Sequence, residues 1–375
     1  MFTRGEPNRI PMIDLARFYG IVLVYYGHVV ERMMYLGSSA AAHHYKFIYS
    51  FHMILFFVLA GFIAKERVHD LGLGDFVRSR LASRVVPFFF FNLLLAMFSL
   101  GLPRDFPPVP LASAGDYLAA AIQTLTTLPI FNIPTWFLMC LITVEILHHA
   151  VFRFLRASDR RILAAAVLFY IAGYAFNREF QFFDPGRSLT NYWFFNEAPV
   201  VYAFYLVGVV MRRRGFLTWP VRPAILAAGA LAALGVVCLT YDLNQGPFRL
   251  IEAVVILASG HGDPLWFPLT AVVGSVMILL LARLSPPAAW MTFMGRNALT
   301  LFCLNGVVYH HVNGPVAMWT KDSLGLSAAA VLGVGAAATA VSLILAVPVV
   351  MLFNRAVPQL IGRPRERGPL LPNFL

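Results

Sequence analysis

Long apolar stretches recur from one end of this chain to the other, each close to the roughly 17–25 residues needed to cross a hydrocarbon layer about 30 Å thick. They fall at about 11–31, 47–64, 85–101, 134–152, 162–177, 198–211, 222–240, 265–282, 290–309 and 325–352. Hydrophobic residues make up 59% of the 375, and the mean hydropathy is +0.72. That is more apolar surface than a water-soluble core of this size absorbs. The expected fold is therefore all-α, a polytopic membrane bundle of about ten transmembrane helices. The connectors are too short for a separate soluble domain, so residues 1–375 read as one transmembrane domain.

The net charge of +11 would suggest nucleic acid in a soluble chain. Here most Lys and Arg lie in short connectors, where they set orientation, and no nucleic-acid partner is expected. With ten crossings and a cytoplasmic N-terminus, one side collects Arg4 and Arg9, Lys65 through Arg84, Arg153 through Arg161, Arg212 through Arg222, Arg283, and a tail with Arg355, Arg363, Arg365 and Arg367. The other side keeps Arg32, Lys46, Arg104, Arg178, Arg187, Arg249 and Lys321. An eleventh crossing at LIEAVVILASG, residues 250–260, would expose the basic tail outside, so that piece is expected to be non-spanning or re-entrant. Both termini are then cytoplasmic. The first apolar run has no small-residue cleavage site before it and is expected to be retained. Cys140, Cys238 and Cys303 sit in apolar segments without metal-ligand or disulfide spacing, so no metal is expected.

Two outer connectors stand out, at about 102–133 and 178–197. Their PRDFPPVP and NREFQFFDPGRS stretches predict extended or turn structure over an externally open cavity. The inner connector at 65–84 alternates basic and apolar residues and predicts a surface helix.

The stretch RFYGIVLVYYGH carries Arg17 and His28 eleven positions apart in an almost uncharged run. Eleven steps of about 100° return nearly to the same helix face, about 16 Å further along the axis. Asp14, three residues before Arg17, can pair with it. On the residues alone, two readings stay open: a polar interior holding both groups, or a snorkelling Arg17 and an interfacial His28. His52, near the outer start of the second apolar run, comes to a similar membrane depth as His28.

These residues also carry a resemblance. The chain is similar to the integral-membrane acyltransferase family 3, bacterial O-acyltransferases that modify cell-surface sugars and certain secreted metabolites. The family's arginine, ten-residue, histidine signature falls on Arg17 and His28. Its FHMxLFFxLSGF pattern is matched at Phe51, His52, Met53, Leu55, Phe56, Phe57, Leu59, Gly61 and Phe62, with Ala60 in place of serine. FVRSRLASRVVPFFF and the WFL of Trp136, Phe137 and Leu138 resemble further family patterns. A late G-x-N-S-L-x-x-Y-x-x-H pattern keeps Gly295, Asn297 and Leu299, whereas Ala298, Phe302 and Asn305 replace serine, tyrosine and histidine.

The resemblance implies transfer of a short acyl group, most commonly acetyl, from cytoplasmic acyl-CoA to a hydroxyl of a sugar, glycolipid or hydroxylated metabolite, in the bacterial inner membrane. His28 is then the expected base or acyl carrier, with Arg17 orienting the donor and His52 positioning the acceptor or sharing proton transfer. Arg78, Arg80 and Arg84 are expected on the donor phosphates, joined by Arg17. Asp14, Glu145, Trp136, Asn297 and Asn305 are expected around the cavity, and membrane lipids as the surrounding partner. One polar passage is expected to join the Arg17 and His28 ends. A secondary transporter and a non-catalytic envelope scaffold are the alternatives, although neither an internal repeat nor a pair of broken helices supports the transporter. The composition fits a monomer or a homodimer equally.

Overall fold

The computed structural model describes residues 10–65, 71–105, 111–179, 191–216, 218–245 and 253–375. Arg4, Arg9, Arg187, Arg249, the end of PRDFPPVP, most of NREFQFFDPGRS and residues 250–252 lie outside the described residues. Among those described there is no sheet; fifteen α-helices run in order. They are α1 (Pro11–Tyr35), α2 (Ser39–Tyr49), α3 (His52–Ile63), α4 (Leu73–Arg80), α5 (Val86–Phe98), α6 (Ala114–Thr126), α7 (Trp136–Leu155), α8 (Asp159–Glu179), α9 (Ala198–Arg213), α10 (Pro223–Thr240), α11 (Trp266–Leu284), α12 (Ala289–Arg296), α13 (Ala298–His311), α14 (Asn313–Leu324) and α15 (Ala328–Ala356).

Eight helical stretches among the described residues are long and apolar enough to cross a membrane. Two more complete the expected ten. The helix α8 has charged ends, Asp159 to Arg161 and Arg178 to Glu179, that dilute its hydropathy. The other crossing is broken between α12 and α13 at Asn297, whose amide caps the Phe293 carbonyl at 2.8 Å. The chain is a polytopic membrane protein. Residues 253–260 do not span; they make one short turn, Ile256–Ala258, folded into the bundle.

Pairings between helix ends agree with the alternating order read from the charges. At one end Arg212 donates to the Ala64 carbonyl at 2.7 Å, Arg213 and Arg214 meet Asp159, and Arg296 meets Asp14 at 3.5 Å. At the other, Arg32 pairs with Asp105 at 3.2 Å and Lys46 with Asp242 at 3.0 Å.

The centre of the bundle is α1, which packs against α2, α3 and α11 through α15. A second core contact is the crossing of α3 and α9. A Cβ at Gly61 would overlap the Tyr205 carbonyl, and one at Gly208 would overlap that of Val58, so the two backbones touch because both positions are glycine. Helices α10 and α15 stand at the periphery, with most of their side chains turned outward.

Three local departures from the sequence expectations have physical causes. Within the 65–84 connector Leu73–Arg80 does form a helix, α4, but it runs through a wide turn at Leu81–Val85 straight into α5. Pro87 has no N–H for the Ser83 carbonyl, and Arg84 donates to that oxygen at 3.2 Å instead. The 102–133 connector is not all extended: Ser113 and Asp116 form a reciprocal capping box that starts α6. The second crossing is two helices, α2 and α3, parted at Ser50 and Phe51.

Candidate active site

His28 lies on the face of α1 that also carries Val24, Glu31 and Tyr35, spaced as one stripe of the helix. These four line an outer cavity of about 230 Å³, closed by Tyr45, Tyr49, His52, Met53, Trp136, Phe302, Tyr309 and the 254–258 segment. The Nδ1 of His28 contacts the side-chain amide of Asn305, which holds the ring in place. His52 is held alike, its Nδ1 donating to the Ile48 carbonyl at 2.9 Å. When neutral, His52 thereby keeps its Nε2 lone pair for the cavity. The Tyr49 ring stands between the imidazoles, its centroid 6.5 Å from that of His28 and 4.6 Å from that of His52.

Sequence reasoning missed Glu31, one turn beyond His28 and 5% exposed. Its Oε1 accepts from Tyr35 and Tyr309, each at 3.4 Å, and its Oε2 from Tyr49 at 3.3 Å. Three hydroxyls thus compensate a carboxylate that would otherwise be costly to bury. The signal was present as a position on the Arg17–His28 stripe, but the tyrosines come from α1, α2 and α13 and only the fold assembles them. A second missed group is Glu197 at the start of α9. It accepts from Ser259 Oγ at 2.7 Å and Asn191 Nδ2 at 2.6 Å, and so pins the segment that walls the outer cavity. Ser259 takes a left-handed backbone (φ 58°), which that bond helps to hold.

The opposite end of the bundle is cationic. Arg17, Arg84 and Arg296 line an inner cavity of about 270 Å³, and Arg84 also borders a second one of about 200 Å³ with Lys65, Arg80, Glu145 and His148. Glu145 meets Arg80 at 3.4 Å and Arg84 at 3.3 Å. Asp14 meets Arg17 at 3.7 Å, the expected pair, and also Arg296, which the sequence did not single out. The close approach of α12 to α1 explains that addition: a Cβ at Gly295 would overlap the Asp14 carbonyl. Arg78 is exposed on α4 and borders neither inner cavity. Asn297 lines neither cavity, although its neighbours Arg296 and Ala298 line the inner one; its Oδ1 accepts from Asn354 at 2.9 Å and Arg363 at 2.7 Å, tying the C-terminal tail to the bundle.

Arg17 and His28 therefore share a stripe without sharing a cavity. Instead of one open passage, the structure has an outer and an inner chamber, meeting where Phe302 lines both.

Residues 10–349 match the family model described as an acyltransferase domain. The chain belongs to this polytopic membrane acyltransferase family. A similar protein is the nodulation protein NolL of Mesorhizobium japonicum, 29% identical over 93 residues, which are 24% of this chain and 25% of the relative. The chain thus aligns with only a quarter of that relative's length, and no solved structure matches it. For an acyltransferase the departures in the late motif now have a place: Asn305, standing where the family pattern has histidine, is the group that holds His28, and Phe302, standing for tyrosine, is the wall between the chambers. Among the described residues no cluster of three or more His, Cys, Asp or Glu side chains could hold a metal ion.

Proposed function

We infer that this acyltransferase moves a short acyl group, most simply acetyl, from acyl-CoA bound at the inner chamber to a hydroxyl of a sugar, glycolipid or related acceptor in the outer chamber. The supporting observation is the division of the two cavities along α1: Arg17 with Arg84 and Arg296 lines one, and His28 with His52 and Glu31 lines the other. The inner end is taken as cytoplasmic and the membrane as the bacterial inner membrane, following the lysine and arginine bias. Phosphates of the donor are hydrated anions, expensive to carry into hydrocarbon, and the chamber of Arg17, Arg84 and Arg296 offers forked donors at the surface of the bundle. Glu145 pairs with Arg84, which lines that chamber, and with Arg80, which lines the neighbouring one. The pantetheine arm would then reach inward and bring the thioester beside His28.

In the transfer step His28 Nε2 takes the proton from the acceptor hydroxyl as its oxygen attacks the thioester carbonyl. The new C–O bond forms, the C–S bond breaks, and the departing coenzyme A thiolate takes the proton back from the imidazolium. His52, with its own free Nε2, holds the acceptor through a second hydroxyl, and Glu31 with its tyrosines offers further acceptors and donors to a polyhydroxylated molecule. Membership of this family favours the transferase over transport or scaffolding.

The test is the purified protein in nanodiscs with acetyl-labelled acetyl-CoA and a panel of sugars and polyprenyl-linked sugars. Label appearing on a hydroxyl with stoichiometric coenzyme A release, lost in a folded His28→Ala variant, is the expected result. Sugar uptake into proteoliposomes without label transfer would overturn it.

A further inference from the structure

Three aromatic rings stand at the boundary between the two chambers. Phe56, Phe137 and Phe302, from α3, α7 and α13, meet with ring centroids 5.5 to 6.3 Å apart. On α3 the boundary falls between Met53, which lines the outer chamber, and Phe56, which lines the inner; on α7 it falls between Trp136 and Phe137. On α1 it falls above Arg17 and below Val24, at Gly20, where a Cβ would come within 2.7 Å of Phe56 Cζ. The ring of Phe56 is thus seated against the backbone of the helix that carries both Arg17 and His28.

Resting on the acyl-transfer reading above, we propose that Phe302 sets the length of acyl group this protein transfers. An arginine-bound donor enters from the inner side, and the attacking hydroxyl waits beside His28 on the outer side. The thioester carbonyl must therefore stop at the level of the three rings. The acyl substituent leaves that carbonyl at about 120° to the sulfur, so it turns into the wall formed there by Phe302, Met53 and Trp136. The outer chamber, about 230 Å³, has to hold that substituent together with part of the acceptor. Phe302 lines both chambers and, at 4% exposure, is held against Phe56 and Phe137. A two-carbon group fits beside it. A longer chain meets the ring face, and a hydrophobic wall discriminates by about tenfold or more for each excess methylene.

The experiment compares wild type, Phe302→Leu and Phe302→Ala in nanodiscs with acetyl-, butyryl- and hexanoyl-CoA. Coenzyme A release is read with a thiol reagent, in the presence of the sugar panel and with water alone. The expected result is a hexanoyl-to-acetyl ratio of kcat/KM that rises at least about tenfold in Phe302→Ala, with Phe302→Leu intermediate. Phe302→Leu keeps an apolar branched side chain at the site and guards against misfolding of the smaller variant. An unchanged ratio in variants that still release coenzyme A from acetyl-CoA overturns the role of Phe302 and leaves the transferase reading intact. Absence of coenzyme A release from every donor in wild type overturns both.

Discussion

The outer and inner chambers are carved against the same helix, yet one is lined by imidazoles and tyrosines around a single carboxylate and the other by arginines. In the outer chamber His28, His52, Tyr49 and Tyr309 surround a carboxylate whose partners are hydroxyls. In the inner chamber Arg17, Arg84 and Arg296 face a space behind which Asp14 and Glu145 hold them in place. The difference teaches how a membrane bundle can hold charge in two ways. Arginines gather near one end of the bundle, where solvent screens them, and the carboxylate buried in the outer chamber is compensated by hydroxyls.

The largest expected effect comes from removing the outer base. His28→Gln lowers kcat by about 10²–10⁴-fold and leaves coenzyme A affinity unchanged, measured by single-turnover transfer and by calorimetry in nanodiscs. Loss of donor binding in this variant would merge the two chambers functionally and break the comparison. Next is Arg84→Ala, which raises the donor KM by about 10–100-fold, as expected for one charge-assisted contact, with kcat little changed and the effect shrinking at high salt. A fall in kcat alone would move Arg84 into the transfer step.

Much of this contrast could be read from the residues, and the part that could not has a common cause. Helix count, the Arg17–His28 stripe, the Asp14–Arg17 pair and the shared depth of His28 and His52 follow from hydropathy and from a 100° step, both local properties of the chain. Glu31 was within reach of the same geometry. Its three tyrosines, Arg296 behind Asp14, and Glu197 on Ser259 depend on pairings between residues far apart in sequence, which periodicity does not encode. The ring partition was hidden for a further reason: phenylalanines in an apolar helix look like ordinary core until cavities are seen on both sides. Arg78 shows the converse: basic composition marked it together with Arg80 and Arg84, and its place on α4 leaves it exposed, lining neither inner cavity.

Smaller effects sharpen the picture. Asn305→Leu removes the amide that holds Nδ1 of His28, and kcat falls about tenfold at constant donor affinity; a nitrogen-15 NMR spectrum of labelled histidine reports the change in tautomer balance. Arg78→Ala is expected to change neither kcat nor donor KM, in a steady-state assay beside Arg84→Ala. A KM shift equal to that of Arg84→Ala would place the nucleotide on α4 instead of in the inner chamber.

The most direct test of the division between the chambers is a structure of the protein in nanodiscs with coenzyme A bound. The account predicts nucleotide phosphates against Arg84 and Arg17 or Arg296, with the thiol end pointing past Phe302 toward His28. Phosphates seated among His28, Glu31 and Tyr309, or an arm lying along the bundle surface without approaching the three rings, would contradict it.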